Sequence, residues 1–206
     1  MENEENKIKS NLEMKPNFEV VYKGKMFEIV NWEGKPGVKF EAAVRAPGVR
    51  LLIETEKDGK VALRMTKEIR RESGGYDIRL PGGKVFDSLD EMDEFRDSGE
   101  NIDPIALEAA KKEGKQEAGI SGGDYSKKVI AKAGASVEWD LHYFKVTNAE
   151  FGEQELEEGE KGDIEIITLS AREIFEKLTN REIKEGRSAD ILWLWLSENG
   201  FINFKE

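Results

Sequence analysis

A glycine-rich turn followed by a helix with paired carboxylates constrains the fold of this chain more than any other feature. The turn reads Leu80-Pro81-Gly82-Gly83-Lys84, and its glycines leave the backbone approachable because they have no Cβ. The helix is predicted to begin near Asp103, which can cap it, and Pro104, which suits its first position. Because Glu113 and Glu117 are four residues apart, their carboxylates share one helix face. Backbone oxygens opposite such a face can hold a hard divalent cation such as magnesium.

The rest of the chain alternates between strand-like and helical patterns. Short runs at residues 18–22, 26–32 and 38–45 predict a small N-terminal β region, as a separate sheet or as an extension of the core sheet. Residues 1–16 are polar and charged and are predicted to be a flexible tail. Strands and helices interleave through the remainder, which predicts a layered α/β (α+β) domain.

Two segments flank the turn. Residues 67–75 are polar and predict a loop that carries Arg70 and Arg71. Residues 86–99 predict a short amphipathic helix, inserted before the carboxylate helix, with a capping-box spacing and apolar residues at helical intervals. This helix is expected to cover the site or a neighbouring subunit, or only to decorate the surface.

Composition excludes several classes of protein. Lys and Arg total 32 against 43 Asp and Glu, so the formal net charge is −11 and a nucleic-acid-binding surface is not expected. The absence of cysteine excludes disulfides and thiolate metal sites, and a single histidine, His142, cannot form a multi-histidine site. No apolar run approaches the roughly 20 residues that cross a bilayer, and the N-terminus lacks an apolar signal core. We therefore expect a soluble, cytoplasmic protein without membrane contact.

The turn and the helix together resemble the Nudix box, whose helical part reads Arg-Glu-apolar-any-Glu-Glu-any-Gly-apolar. The matching residues are Glu113, Glu117, Gly119 and Ile120, and the departures are Lys112 for Arg, Gly114 for an apolar residue and Gln116 for Glu. The separation of Gly83 and Lys112 is about twice that of the family pattern, and the surplus is the insertion near residues 85–102. The early Glu of the box has Glu100 as its candidate.

Further blocks resemble the ADP-ribose pyrophosphatase branch of that superfamily. They are Ala46-Pro47-Gly48-Val49, the Arg70 loop, the Leu80 turn and Glu160-Lys161-Gly162-Asp163-Ile164 followed by two helices. The resemblance covers roughly residues 18–200. It implies a Nudix-type α/β/α sandwich with a mixed sheet over residues 47–206, preceded by a strand region at residues 17–46 that contacts a second copy in a homodimer.

The resemblance also implies a site. The metal ligands would be Glu113, Gln116, Glu117 and the carbonyl of Gly82, holding Mg²⁺, with Mn²⁺ as the alternative. Glu113 and Glu117 would thereby be catalytic together with Glu160, which matches the family's general base. Glu158 is a rival for that role, and a merely solvated acidic loop is the alternative reading.

On the substrate side the resemblance assigns Arg70 to a phosphate, with Arg71 as the alternative. Arg79 stands where the branch usually has Glu before Leu-Pro, and Glu138 matches an acidic position near the substrate. His142 is expected to be structural. Trp193 and Trp195, in a very apolar helix predicted at residues 189–197, are expected in the core or in a dimer contact.

The implied reaction is metal-dependent hydrolysis of a nucleoside diphosphate linked to another group, with ADP-ribose, giving AMP and ribose 5-phosphate, as the first choice. A nucleotide sugar or a nucleoside triphosphate is the nearest alternative substrate. A module that binds nucleotide without cleaving it is the alternative of another class, favoured by Lys112, Gly114 and Gln116.

Overall fold

The computed structural model describes residues 18–134 and 136–202. The tail predicted at residues 1–16 lies outside these described residues. The chain divides into two compact units: the first comprises Met1–Arg50, Gly83–Ala110 and Lys127–Phe144, and the second comprises Leu51–Gly82, Lys111–Ser126 and Lys145–Glu206. In the described part of the chain, no helix is both long and apolar enough to cross a membrane.

Strands and helices interleave as the sequence predicts. The strands are β1 Phe18–Lys23, β2 Glu28–Lys35, β3 Val38–Val44, β4 Gly48–Lys57, β5 Lys60–Arg70, β6 Gly75–Arg79, β7 Ile120–Ala131, β8 Val137–Glu138, β9 Leu141–Phe151 and β10 Ile164–Ser170. The helices are α1 Leu89–Ser98, α2 Ile102–Ala118, α3 Ala171–Thr179 and α4 Gly186–Glu198.

A four-stranded sheet in the order β1-β2-β3-β8 belongs to the first unit. The β1–β2 and β2–β3 pairs are antiparallel, and β8 joins β3 in parallel, so the sheet is mixed. The predicted N-terminal β region is therefore a sheet of its own. One face of it is covered by α1, whose apolar residues Leu89, Met92 and Phe95 pack against Val30 and Val44.

Ion pairs fix α1 to this sheet. Arg96 of α1 lies 2.6 Å from Glu28, whose side chain is fully buried, and 3.0 Å from Asp93 one helical turn away. Lys23 contacts Asp90 and Asp93 at 2.6 and 2.7 Å. The amphipathic helix predicted at residues 86–99 is present as α1, and within the first unit it covers the N-terminal sheet of its own chain.

The second sheet has the order β10-β5-β4-β9-β7, with β6 paired to β5. The β4–β5 hairpin turns at Asp58 and Gly59, which have the positive φ angles of 53° and 71° that an Asp-Gly turn requires. In β4, Leu51, Leu52 and Ile53 are all fully buried, so both faces of this central strand are covered.

The C-terminal helices α3 and α4 belong to the second unit. A capping box begins α3, with Ser170 and Glu173 exchanging hydrogen bonds. In α4 the indole N–H of Trp195 donates to Glu54 at 2.9 Å, which satisfies a side chain that is only 1% exposed. Leu194 on the same helix is 43% exposed, so this very apolar helix is not buried on every side.

Two local expectations near the site are also wrong. Residues 67–70 are strand and not loop, because β5 continues through Arg70 as the partner of β6 and β10. The helix α2 begins at Ile102, since the side chain of Asn101 accepts the N–H of Asp103 at 2.9 Å and so acts as the cap in place of Asp103.

Candidate functional site

The glycine turn and the carboxylate helix meet in the second unit at Glu117. The backbone N–H of Gly82 donates to Oε2 of Glu117 at 2.6 Å, and this carboxylate is only 4% exposed. The turn is held beside β4, where Leu51 N–H donates to the carbonyl of Pro81 at 2.9 Å. Gly82 has a φ of 146°, a conformation that side chains rarely adopt, so glycine is required at this contact.

Glu113 and Gln116 accompany Glu117 on α2 and are both half-buried. Gly114, which departs from the box pattern, is buried between them. A Cβ at Gly114 would lie 2.9 Å from the Tyr125 hydroxyl and 3.0 Å from Leu51. The volume that an apolar side chain occupies in the family pattern is therefore filled here by neighbours of the helix.

Arg70 is oriented by a buried carboxylate. Its Nε donates to Glu68 at 2.8 Å, and a second guanidinium nitrogen contacts the same oxygen of Glu68, which is 3% exposed. Burial acts to lower the pKa of Arg70, but the carboxylates of Glu68, Glu72 and Glu117 outweigh burial and raise it. The charge of Glu117 is therefore one of the carboxylate charges that act on Arg70.

Arg79 is buried and engaged by carboxylates of its own hairpin. Its Nε donates to Asp77, and a terminal nitrogen donates to Glu72, both at 2.9 Å. Asp77 is 1% exposed and also accepts from the hydroxyl of Ser73 at 3.2 Å. These contacts hold the β5–β6 hairpin, and the substrate role of Arg79 stays a prediction.

The acidic loop begins beside the end of α2. Gly152 N–H donates to the carbonyl of Gly119 at 2.7 Å, and the side-chain amide of Gln154 donates to the carbonyl of Glu117 at 2.6 Å. Glu155 N–H adds a bond to the carbonyl of Gln116 at 3.0 Å. The loop therefore starts at the carboxylate helix.

The predicted base lies further along this loop. Glu160 Oε2 accepts from the N–H of Glu157 at 3.3 Å, and the carbonyl of Glu160 accepts from Asp163 at 3.0 Å. These bonds stay inside one turn. Glu160 is half-buried and its rival Glu158 is exposed.

Three other residues from the sequence analysis lie in the first unit. Glu138 is half-buried in β8, and its carbonyl accepts from Arg45 N–H at 3.1 Å. Glu100 is exposed beside the end of α1. His142 is fully buried in β9, at a core position.

Sequence reasoning missed Glu68 and Gln154, which position Arg70 and the acidic loop. Thr66, Glu68 and Arg70 alternate along β5, and Thr66 donates its hydroxyl to Glu68 at 2.5 Å. This period of two is the signal that a strand was present. It was obscured because the inward-facing residues are polar.

The residues around Glu117 offer a donor set for a divalent cation. Within residues 18–134 and 136–202, no three Asp, Glu or His side chains are grouped closely enough to form a metal site by themselves. The helix offers two carboxylates, Glu113 and Glu117, with the amide of Gln116 and the backbone of Gly82 nearby. Magnesium is usually held by only one or two carboxylates together with substrate phosphates and water, and this set fits that requirement.

Comparison with known proteins identifies the fold. No protein-family model matches the sequence, and no curated protein matches it either. Among solved structures, the chain is similar to one described as the crystal structure of ADP compounds hydrolase, with a TM-score of 0.61 and 20% identity over 90% of this chain and 95% of that chain. At this identity the likeness shows a shared fold. It supports the mixed α/β (α+β) fold class that the sequence predicts.

Proposed function

We propose that this chain is a magnesium-dependent Nudix-type hydrolase that cleaves the diphosphate of a nucleoside diphosphate derivative, with ADP-ribose as the first substrate to test. The observation that carries the proposal is the contact of Gly82 with the buried Glu117, whose charge also acts on Arg70. The shared fold with a protein described as an ADP compounds hydrolase supports the same reaction class.

Glu113, Glu117, Gln116 and the Gly82 carbonyl would hold the cation, and manganese would accept the same oxygen ligands. When bound, the cation would neutralise phosphate oxygens and make a water molecule more acidic. Gln116 adds an oxygen but no charge. We therefore propose that the affinity for magnesium is weaker than a third carboxylate would give.

The chain's own residues would bind the substrate and move the proton. The guanidinium of Arg70 would donate two N–H groups to a phosphate, and Glu68 would keep the plane of the guanidinium in place. Glu160 would accept the proton of the attacking water as general base. As the water oxygen bonds to phosphorus, the bridging P–O bond breaks, and ADP-ribose gives AMP and ribose 5-phosphate. Arg79 and Glu138 remain proposals for contacts to the rest of the substrate.

The first experiment measures AMP released from ADP-ribose with magnesium by the wild type and by Glu117→Gln. We expect a loss of more than about 100-fold in kcat/KM, since even partners outside the ligand shell cost about 10- to 100-fold. Glu108→Gln, an exposed position on the same helix, is the matched control and should keep its activity. Equal activity of Glu117→Gln and wild type would refute the proposed site.

A matched pair of variants identifies the base. Glu160→Gln should reduce kcat by about 100-fold or more, and Glu158→Gln should leave kcat nearly unchanged. The reverse result would transfer the role to Glu158. If neither variant changes kcat, the acidic loop does not supply the base.

A non-catalytic nucleotide-binding module is the second candidate, and the amide at Gln116 is the feature that favours it. It predicts that ADP-ribose, nucleotide sugars and nucleoside triphosphates all remain uncleaved while one of them raises the melting temperature. The hydrolase proposal predicts cleavage of at least one of these compounds. It further predicts that Gln116→Glu lowers the magnesium concentration needed for half-maximal rate.

A further inference from the structure

A cavity of about 470 Å³ lies in the second unit and has no part in the proposed reaction. Its volume falls within the range of small-molecule sites in proteins. It is lined by apolar residues and lysines, with one glutamate: Lys67, Tyr76, Ile78, Ile167, Leu169, Lys177, Glu182 and Lys184.

Strand register places this cavity on the opposite face of the sheet from Arg70 and Arg79. Ile78 pairs with Lys67, and Tyr76 pairs with Ile69, so these side chains share one face of β5 and β6. Arg70 and Arg79 are offset by an odd number of residues along these strands and therefore point to the other face. The cavity and the Arg70 site are thus two separate places on one hairpin.

The floor of the cavity is aliphatic and aromatic. Ile78 of β6 and the residues Ile167 and Leu169 of β10 supply branched side chains, and Tyr76 supplies a ring that is 55% exposed. The ammonium of Lys67 lies 4.6 Å from the centre of this ring. Such a floor suits an apolar group that has no hydrogen-bonding requirements of its own.

The rim is cationic, although the whole chain has a net charge of −11. Lys177 is paired with Glu182 at 2.9 Å, and Lys67 is 3.4 Å from Glu165. Lys184 differs from both, because its ammonium donates to the backbone carbonyls of Ser73 at 2.7 Å and Tyr76 at 3.4 Å.

These two carbonyls use two of the three N–H donors of Lys184. Its backbone N–H donates to Asp77 at 3.1 Å, which fixes the residue against the β5–β6 hairpin. Among the described residues, no carboxylate lies within ion-pair distance of the Lys184 ammonium. The rim therefore contains the ammonium group of Lys184, which is held in position and has one N–H donor left for a ligand.

We propose that this cavity binds a small amphiphilic anion, with a carboxylate or phosphate group at Lys184 and an aliphatic or aromatic body on the isoleucine floor. An ammonium with one remaining donor matches a single anionic group. The apolar floor matches a hydrocarbon body better than it matches a nucleobase, whose polar edge needs directional partners.

Calorimetric titration of the full chain in EDTA tests the proposal without any catalytic metal. The probes are hexyl phosphate, hexanoate, inorganic phosphate and 1-hexanol. We expect hexyl phosphate or hexanoate to bind at least about tenfold more tightly than inorganic phosphate or hexanol, because only the amphiphiles use both the rim and the floor. The relative affinities of the two amphiphiles decide between the phosphate and the carboxylate group.

Lys184→Gln should weaken the tighter probe by about tenfold, which is the effect of losing one charged hydrogen-bond donor. Lys60→Gln, an exposed lysine on the β4–β5 turn, is the matched control and should bind as the wild type does. Lys184 also donates to two backbone carbonyls, so circular dichroism is used to check that the Lys184→Gln variant is folded. If this variant unfolds, Lys67→Gln provides the second test.

Equal binding by the wild type and the folded Lys184→Gln variant, or by the wild type and Lys67→Gln if Lys184→Gln unfolds, would overturn the proposal. Binding of inorganic phosphate as tight as that of the amphiphiles would also overturn it. Glu117→Gln should bind the probe normally, because this carboxylate belongs to the Arg70 site. Loss of binding in Glu117→Gln would place the anion in the proposed catalytic site and would also overturn the cavity assignment. Failure of the hydrolase proposal leaves these expectations unchanged.

Discussion

At the scale of single residues, burial sets the charge of His142. Its side chain is fully buried, and among the described residues neither ring nitrogen has a hydrogen-bond partner. Burial lowers the pKa of His142 from 6.5 to about 4, while the charge of Asp140 opposes this shift and that of Lys127 adds to it. The imidazole is therefore neutral at physiological pH.

This lowered pKa predicts an acid-dependent loss of stability. The unfolded chain binds a proton at His142 below pH 6.5 and the folded chain does so only near pH 4, so folding free energy is lost as the pH falls through this window. The wild type should lose about 2 kcal/mol more than His142→Leu between pH 7 and 4.5. Denaturant unfolding of both proteins at the two pH values measures the difference. Equal losses would show that another group causes the acid sensitivity.

The sequence predicted that two residues lie close together where their spacing along one helix determines the distance between them. Glu113 and Glu117 are on one helix because four residues make about one turn, and the Gly82 turn meets Glu117 as expected. The sequence could not predict that Gly82 donates its N–H to this carboxylate. It also missed the Glu68–Arg70 pair, since two charged residues in a polar run resemble a loop until a neighbouring strand pairs with them.

At the scale of elements, Gly114 shows how α2 fits its surroundings. A Cβ there would meet the Tyr125 hydroxyl at 2.9 Å and apolar side chains at 3.0 and 3.1 Å. Gly114→Leu should therefore lower the free energy of unfolding by about 1–3 kcal/mol, despite the better helix propensity of leucine. Denaturant unfolding measures this change.

Tyr125→Ala tests the cause, because it removes the ring that occupies the space. The double variant should be more stable than the sum of the two single effects predicts, by about 1 kcal/mol. Gly186→Leu is the control, since no atom lies within 4 Å of a Cβ at this position in the first turn of α4. Additive effects in the double variant would show that Tyr125 does not limit the site.

The inserted helix α1 depends on a buried ion pair. Glu28 is fully buried, so Arg96→Met should cost about 3–5 kcal/mol by leaving its carboxylate without the 2.6 Å partner. Adding Glu28→Gln should recover part of this loss. Lys23→Gln removes a more exposed partner of α1 and should destabilise the protein much less than Arg96→Met does. A small effect of Arg96→Met would mean that apolar packing alone holds the helix.

Local signals predicted the existence of α1, because a capping-box spacing and helical periodicity are contained in a few consecutive residues. The sequence did not predict which strands pair with each other. The four-stranded sheet joins β8 to β3 across about ninety residues of chain, and no local pattern specifies that register. The packing of α1 on the N-terminal sheet likewise depends on Glu28 and Arg96, which are distant in sequence.

At the scale of the whole molecule, the N-terminal sheet carries several large apolar side chains that are exposed to solvent. Val20 and Tyr22 of β1 and Val38 and Phe40 of β3, the two strands that flank β2, are 43%, 63%, 44% and 45% exposed. Large exposed apolar patches mark interfaces. We propose that a second copy of the chain covers it, which is the homodimer expected from the sequence.

Light scattering coupled to size-exclusion chromatography should therefore give twice the chain mass of 23.3 kDa. Since each copy carries a charge of −11, repulsion opposes association, and added salt should tighten the dimer. The double variant Tyr22→Lys with Phe40→Glu should be a folded monomer. Leu194→Lys changes a similarly exposed residue of α4 and should remain a dimer. A wild-type monomer at high salt would contradict the proposal, and so would a dimer that survives both substitutions in the sheet, because its interface must then lie elsewhere on the chain.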